Sequence, residues 1–569
     1  MHFQPPLDDI HFILHEVLKA PTQLQDMSCF ADADADLMRQ VVDEAGKFVA
    51  DVVAPLQSVG DAIGCRWQDG VVTTPPGFRH AYQAFWRNGW SALACATQDG
   101  GQGLPAVLEA VLFEMLSGAN HGWTMAPGLL HGAYECLKHH GSEELKARYL
   151  GKIASGEWLA TMCMTEAHAG SDLGQVRTRA ALQADGSFSL NGSKIFISGG
   201  EHDLSDNIVH LVLARLADAP AGPKGLSLFL VPKLLPDAAR NAVLCDRIEE
   251  KMGLHGSATC AMRFEEATGW LIGEPNRGLN AMFVMMNAAR LHVALQGVGL
   301  LEAAWQKAHA YALERRQMRA PGARDASQAS DLIAQHPAVH RLLDTQRVWI
   351  DGARVLAYRT ALELDMARQH PEAARREQAQ RWCALTTPVL KAALTHQAFY
   401  GASECLQVFG GHGYVREWGI EQIVRDARVT MIYEGTNEIQ AIDLLVRKVL
   451  ADGGAALAML LHELDEELDL RLEADGAASS RFAKVNQLTT QLVEAARTDA
   501  VLPYALADDY LRLLALALLG WAWTRIEAAT GADVPRWRAP SVLHTRVLPE
   551  FDMWLQTLTR QCDASMAKK

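Results

Sequence analysis

One carboxylate, Glu434, stands where its neighbours could make it a base. It belongs to the stretch Ile423 to Gln440, Ile-Val-Arg-Asp-Ala-Arg-Val-Thr-Met-Ile-Tyr-Glu-Gly-Thr-Asn-Glu-Ile-Gln. A helix-like segment with Arg425, Asp426 and Arg428 runs into the apolar patch Met431-Ile432-Tyr433, then Glu434, then the turn signal Gly435-Thr436-Asn437. A carboxylate held between apolar neighbours and a turn is poorly solvated. Desolvation disfavours its charged form and lifts its pKa towards the range of a general base. Taken alone, a glutamate beside a turn is more often a solvated loop residue, so the rest of the chain has to decide.

A chain of 569 residues exceeds one hydrophobic core, and roughly three or four domains are expected. The net charge of −14 and the pI of about 5.8 disfavour nucleic acid as a partner. Ten cysteines are scattered without any Cys-x-x-Cys pair, which indicates neither a zinc site nor a disulfide framework. A cytoplasmic protein with reduced thiols fits. The N-terminus, Met-His-Phe-Gln-Pro-Pro-Leu-Asp-Asp, has no signal-peptide pattern. The apolar run Leu511 to Trp523, interrupted by Arg512, is too short to span a membrane and reads as a buried helix.

Residues 1–157 read as a helical domain, with Leu37, Val41, Phe48 and Val52 near one helix face and a loop expected around Ser117 to Gly122. No Gly-x-Gly-x-x-Gly follows a strand, which disfavours a nicotinamide site. Residues 158–273 are short, glycine-punctuated strands, and Asn191-Gly192 within Phe188 to Ser198 signals a hairpin. Residues 274–450 return to long helices and suggest a four-helix bundle. After Asp452-Gly453-Gly454, residues 454–569 read as a separate helical appendage, with Glu463 to Asp469 as a solvated acidic face. The fold class is mainly α with a central β-domain.

Two segments resemble the signatures of the acyl-CoA dehydrogenase family. Met162-Cys163-Met164-Thr165-Glu166-Ala167-His168-Ala169-Gly170-Ser171-Asp172 resembles the first. Gln407-Val408-Phe409-Gly410-Gly411-His412-Gly413-Tyr414, with Arg425-Asp426-Ala427 and Ile432-Tyr433-Glu434-Gly435-Thr436, resembles the second. The likeness runs over roughly residues 35 to 450. His255 to Cys260, Met285 to Arg290 and Trp418 to Gln422 are similar to a long-chain-length subgroup that includes 3-methylmercaptopropionyl-CoA dehydrogenases, for which a C-terminal appendage is typical. The fold implied is an N-terminal helical domain, a middle β-barrel-like domain, a C-terminal bundle and an additional helical domain.

The resemblance implies FAD as cofactor and α,β-dehydrogenation of an acyl-CoA thioester to trans-2-enoyl-CoA. In that chemistry flavin N5 accepts the β-hydride and electrons pass to an electron-transfer flavoprotein. Glu434 matches the family's base, while Ala289 occupies the alternative base position and cannot serve. Thr165, with the backbone of Met162 and Met164, matches the strand along the isoalloxazine edge, and Ser171 a contact to phosphate or pantetheine. Phe196 and Ser198 stand where relatives have Trp and Thr against the flavin. Arg315, Gln407 and Gly411 match contacts to the FAD of a neighbouring subunit, and Thr436 and Glu438 positions near its pyrophosphate. Asn287, Arg290, Tyr433 and Gly435 match the substrate side. No metal site is implied. His255 is read as a structural histidine, and Trp123 as a residue that could shorten the acyl pocket. A homodimer is expected, with a tetramer as the alternative. The competing functions are a flavin oxidase on the same fold and a non-catalytic acyl-CoA-binding protein. Fatty acyl-CoA and 3-methylthiopropanoyl-CoA are the candidate substrates.

Overall fold

A computed structural model describes residues 2–322, 327–469, 477–530 and 540–567, and the ends of the expected first and last domains lie outside them. The N-terminal region opens with short helical turns. It continues through α1 (Ala35–Phe48), a hairpin of β1 (Arg66–Gln68) and β2 (Val71–Thr73), α2 (Phe78–Arg87), α3 (Ala106–Thr124) and α4 (Leu130–His140). The buried face of α1 is Met38, Val42 and Ala45, continued by Val49 and Val53. It is offset by one residue from the expected stripe, whose Leu37, Val41 and Val52 only flank the core.

The loop expected around Ser117 to Gly122 is helix. Its small residues serve a helix crossing: a Cβ on Gly118 would sit 2.8 Å from the Gly299 carbonyl, and one on Gly299 would sit 2.3 Å from that of Glu114. The only irregularity in α3 is Asn120, at φ −160° and ψ 87°.

The middle region contains β3 (Leu159–Cys163), β4 (Arg179–Leu182), β5 (Phe188–Ser198), β6 (Ile208–Arg215), β7 (Leu226–Pro232), β8 (Val243–Ile248) and β9 (Thr259–Ile272). The pairings β6–β4, β4–β5, β5–β9, β9–β7 and β7–β6 close a ring, with β3 parallel on β6 and β8 on β9. Leu190, Ile197, Val212, Phe229, Cys260 and Phe264 fill its interior. The expected hairpin at Asn191-Gly192 is instead the interior of the single strand β5, opposite a bulge at Glu266 of β9. Gly192 is needed there because a Cβ would lie 2.4 Å from Thr178 Oγ1, and Asn191 Oδ1 accepts a bond from the Glu266 amide at 3.0 Å.

Three long helices, α5 (Gly278–Glu314), α6 (Pro337–Gln369) and α7 (Ala373–Phe409), form the bundle with α8 (Ile420–Arg428) and α9 (Asn437–Ile442). Helices α10 (Ala455–Asp469), α11 (Ala477–Ala496), α12 (Leu502–Thr530) and α13 (Pro549–Met566) complete the chain. They pack against the bundle. Leu513 to Trp523 of α12 is apolar all round, so it must be covered on every side. It packs on α6, with Trp523 Nε1 donating to the Val348 carbonyl at 2.8 Å and Leu519 against Gly352. The acidic run is an interdomain seam rather than a solvated face. Glu463 pairs with Arg381 at 2.8 Å, and Glu467 with Arg359 at 2.8 Å and Arg525 at 2.7 Å. The Asp469 side chain lies outside the described residues. Among the described residues no helix is long and apolar enough to cross a membrane.

Candidate active site

Helix α8 delivers Glu434. Arg425 anchors that helix to Asp61 at 2.6 Å, and Asp426 accepts from the Leu254 amide at 2.6 Å. After the helix and one further turn the chain reverses at Glu434, which adopts φ +55°. A non-glycine residue held there is strained unless its surroundings fix it. Three hydrogen bonds do so. Gln440 Nε2 donates to the carbonyls of Glu434 (3.1 Å) and Gly435 (3.3 Å), and Lys391 Nζ donates to that of Gly435 (2.8 Å).

The turn aims the carboxylate inward, and Oε2 is buried with no hydrogen-bond partner among the described residues. Burial lifts the Glu434 pKa from 4.5 to about 7, while Lys391 and Arg290 pull it the other way. Ile432, part of the expected apolar patch, is half-exposed.

Tyr433 is pinned beside the base. Its hydroxyl donates to Gln296 Oε1 at 2.5 Å and lies 3.3 Å from His121 Nε2 and 3.8 Å from Met125 Sδ. Burial holds the His121 pKa down at about 3, so this contact is neutral at working pH. Arg290 is buried and pairs with Asp443 at 3.1 Å, whereas Asn287, one turn earlier on α5, is exposed. Ala289 is buried and offers no proton acceptor. Replacing Tyr433→Phe strands the Gln296 carbonyl, and a loss of about 1–3 kcal/mol in unfolding free energy is expected. Denaturant titration measures it, with the acyl-chain preference shifting in parallel.

A second group forms along β3, the terminal strand of the sheet. Met162 is buried there. Beyond it, Lys194 donates to the Met164 carbonyl and to Glu166, both at 2.9 Å, and the Ile195 amide donates to the Thr165 carbonyl at 2.9 Å. The Phe196 ring is 61% exposed at φ +60°. Ser198 is partly buried near it, and Ser171 is exposed on the β3–β4 loop. A Cβ on Gly199 would lie 3.6 Å from Ala126, the neighbour of Met125, so the Phe196 and Tyr433 groups border the same end of α3.

The chain matches the acyl-CoA dehydrogenase N-terminal, middle and C-terminal domain models over residues 36–157, 161–267 and 276–449. It belongs to the acyl-CoA dehydrogenase family. It is 39% identical to 3-methylmercaptopropionyl-CoA dehydrogenase of Ruegeria pomeroyi, over 100% of this chain and 98% of that protein. It is 36% identical to the broad-specificity linear acyl-CoA dehydrogenase FadE5 of Mycobacterium tuberculosis, over 84% of this chain and 80% of that one. In fold it is similar to the Bacillus anthracis acyl-CoA dehydrogenase complexed with FAD, with a TM-score of 0.71 at 22% identity, covering 93% of this chain and 87% of that one.

This acyl-CoA dehydrogenase is an FAD-dependent oxidoreductase. The β3 region fits such a group. An edge strand offers backbone N–H and C=O groups to a planar heterocycle, and the exposed Phe196 ring offers it a face.

Arg315, Gln407 and Gly411 lie elsewhere, exposed near Tyr311, which stacks on Phe409 at 4.3 Å and meets His412 at 2.9 Å. From Arg290 to Arg315 the helix rises about 37 Å at ~1.5 Å per residue, so these residues stand far from Glu434 in one chain. Thr436 is occupied as the α9 cap, accepting from the Ile439 amide at 3.3 Å, and Glu438 is exposed in the first turn.

His255 bridges Asp61 at 2.9 Å and the Lys251 carbonyl at 3.0 Å, which is the structural role expected of it. Trp123, the residue that could shorten the acyl pocket, is buried among core residues. Its indole donates to the Phe78 carbonyl at 3.2 Å and meets Phe85 edge-on at 5.6 Å, while His121 and Met125 reach Tyr433.

Three site residues carried no motif signal: Gln296, Lys194 and Lys391. A signal for Lys391 existed, since it is the single Lys, Arg, Asp or Glu between Arg381 and Glu404.

Proposed function

We propose that this enzyme oxidises an acyl-CoA thioester to the trans-2-enoyl-CoA with Glu434 as its base. The supporting observation is the Glu434 Oε2 atom: buried, without a partner, on a group with a pKa of about 7. An α-proton beside a thioester carbonyl is weakly acidic, and a desolvated carboxylate of that basicity suits its removal. Bound FAD supplies the acceptor for the hydride that leaves the β-carbon. Tyr433 and Arg290 frame the carboxylate, and the orphan oxygen takes the proton. Thr165, Ser198, Phe196 and the backbone of Met162 and Met164 hold the flavin, while Ser171 and Asn287 face the CoA at the exposed mouth. Electrons pass on to an electron-transfer flavoprotein. The ten free cysteines suit a reducing, cytoplasmic setting.

The acyl group is a fatty acyl chain or 3-methylthiopropanoyl, the latter supported by the full-length likeness to the Ruegeria protein. An anaerobic panel of acyl-CoAs from short to long, including 3-methylthiopropanoyl-CoA, is expected to bleach the yellow flavin with at least one member. No bleaching with any member would leave a non-catalytic binder. Hydrogen peroxide formed one-for-one with enoyl-CoA in air would make the protein an oxidase.

The separation of Arg315, Gln407 and Gly411 from Glu434 supports a homodimer in which each chain completes its partner's FAD site. Tyr414 and Met318, beside them, are 88% and 78% exposed, as unpaired contact residues would be. A sedimentation mass of two chains is expected, and a mass of four chains would instead support the tetramer.

A further inference from the structure

Helix α7 crosses beneath the Glu434 turn and sends one lysine into it. Lys391 is fully buried amid Leu390, Ala392, Ala393 and Leu394. Its ammonium donates to the Gly435 carbonyl at 2.8 Å and to Asn437 Oδ1 at 3.1 Å, and Thr395 Oγ1 donates to the same Asn437 oxygen at 3.1 Å. Asn437 Nδ2 returns to the Ala392 carbonyl at 3.1 Å, closing the turn against the helix. Among the described residues no carboxylate lies within salt-bridge distance of Lys391, although burying an unpaired ammonium is costly.

We propose that Lys391 is a positioning residue for the base: it locks the left-handed Glu434–Gly435 turn and places a positive charge that holds the Glu434 carboxylate in its ionised, inward-facing form. This rests on the reading of Glu434 as the base.

The other charges facing the pair are few. Arg290 from α5 adds positive charge but is largely neutralised by Asp443, which Lys448 also approaches at 3.4 Å. Glu438 from α9 acts on Lys391 from the exposed side, and Tyr433 stays protonated beside Glu434. Of the two cations that act on Glu434, Lys391 and Arg290, only Arg290 is paired with another carboxylate among the described residues. Burial draws the Lys391 pKa down to about 7, with Glu434 and Glu438 opposing, so it is charged on the acid side of pH 7, where Glu434 begins to ionise.

The test uses the FAD-loaded full chain with Lys391→Met, which removes donor and charge, and Lys391→Gln, which keeps a donor without charge. Flavin reduction by the best acyl-CoA of the panel is followed anaerobically against pH. In both variants the acid limb is expected to move upward, so that reduction is about tenfold slower at pH 7 and recovers near pH 9. The infrared carboxyl band that vanishes in Glu434→Gln should likewise titrate at higher pH. A rate loss of equal size at every pH, or an unmoved band, would mean that Lys391 only packs the turn, and the proposal fails. If Lys391→Met does not fold, Lys391→Gln decides by the same two readouts. A Glu434→Gln variant that still bleaches its flavin overturns the base reading alone, because the infrared band reports the coupling without any turnover.

Discussion

Glu434→Gln is expected to bind FAD normally and to lose flavin reduction by about 10⁴-fold, the upper range for removing a general base. Glutamine keeps the shape of the side chain and the two carbonyl contacts from Gln440, so the left-handed turn survives. What disappears is the only oxygen of the site that is buried, unpartnered and basic near pH 7. Stopped-flow bleaching measures the loss, and a variant that reduces its flavin at the parent rate would remove Glu434 from the mechanism.

The same variant should be more stable than the parent at alkaline pH. A folded pKa near 7 against 4.5 in the unfolded chain means that stability is lost as pH rises through that interval. Glutamine has no such loss, and the gain approaches about 3 kcal/mol above pH 7, less whatever Lys391 forfeits with its neighbour. Lys391 titrates with the opposite sense. Its folded pKa lies below the unfolded value, so its contribution rises with pH between about 7 and 10.5. The pair is thus least favourable near pH 7, where proton abstraction needs it. Chemical denaturation at pH 5 and pH 8 separates the two slopes.

Glu434 stood out in the sequence because its flanks are local: an apolar patch and a turn signal on either side of one carboxylate. The groups that frame and tune it did not, because they arrive from helices distant in sequence. Lys391 lies 43 positions earlier, and Gln296, which holds Tyr433, lies on α5. The β-domain was legible from its texture, yet Asn191-Gly192 misled. The pair that favours a tight hairpin turn also suits a strand interior where the backbone is crowded, as by Thr178, and where a side chain must satisfy a facing bulge, as Asn191 does for Glu266. The converse occurs at Asp69-Gly70, a true hairpin turn with both residues at positive φ, masked by the helical pattern around it. Ser117 to Gly122 failed for a related reason. Small polar residues break a helix pattern on paper, but where two helices cross backbone to backbone they are the residues that fit.

Arg354→Met is expected to cost about 3–5 kcal/mol of stability, more than any single apolar truncation at the surface of the fold. Arg354 is completely buried on α6 and donates to Glu114 of α3 at 2.6 Å and to Glu302 of α5 at 3.1 Å. Tyr358 completes Glu114 at 2.6 Å, and Arg347 reaches Glu302 at 3.2 Å. Methionine fills the space but leaves Glu114 with one neutral donor in a dry helix crossing. Burial pushes Glu302 up, and Arg347 and Arg354 more than offset it, so its folded pKa lies below the ordinary value. The parent therefore gains this stability above the unfolded pKa and loses it as pH falls through the folded one. In the variant Glu302 takes up a proton more readily, so the deficit should be widest at neutral pH and narrow on acidification. Adding Glu114→Gln should recover part of it, because removing both partners of a buried pair costs less than orphaning one. Urea midpoints of the two variants at pH 5 and pH 7.5 test both points. The consequence reaches the site: α3 carries His121 and Met125 to Tyr433, and α5 carries Gln296 and Arg290. The ion cluster that fixes the crossing of those two helices thereby fixes the frame around Tyr433, Arg290 and Glu434.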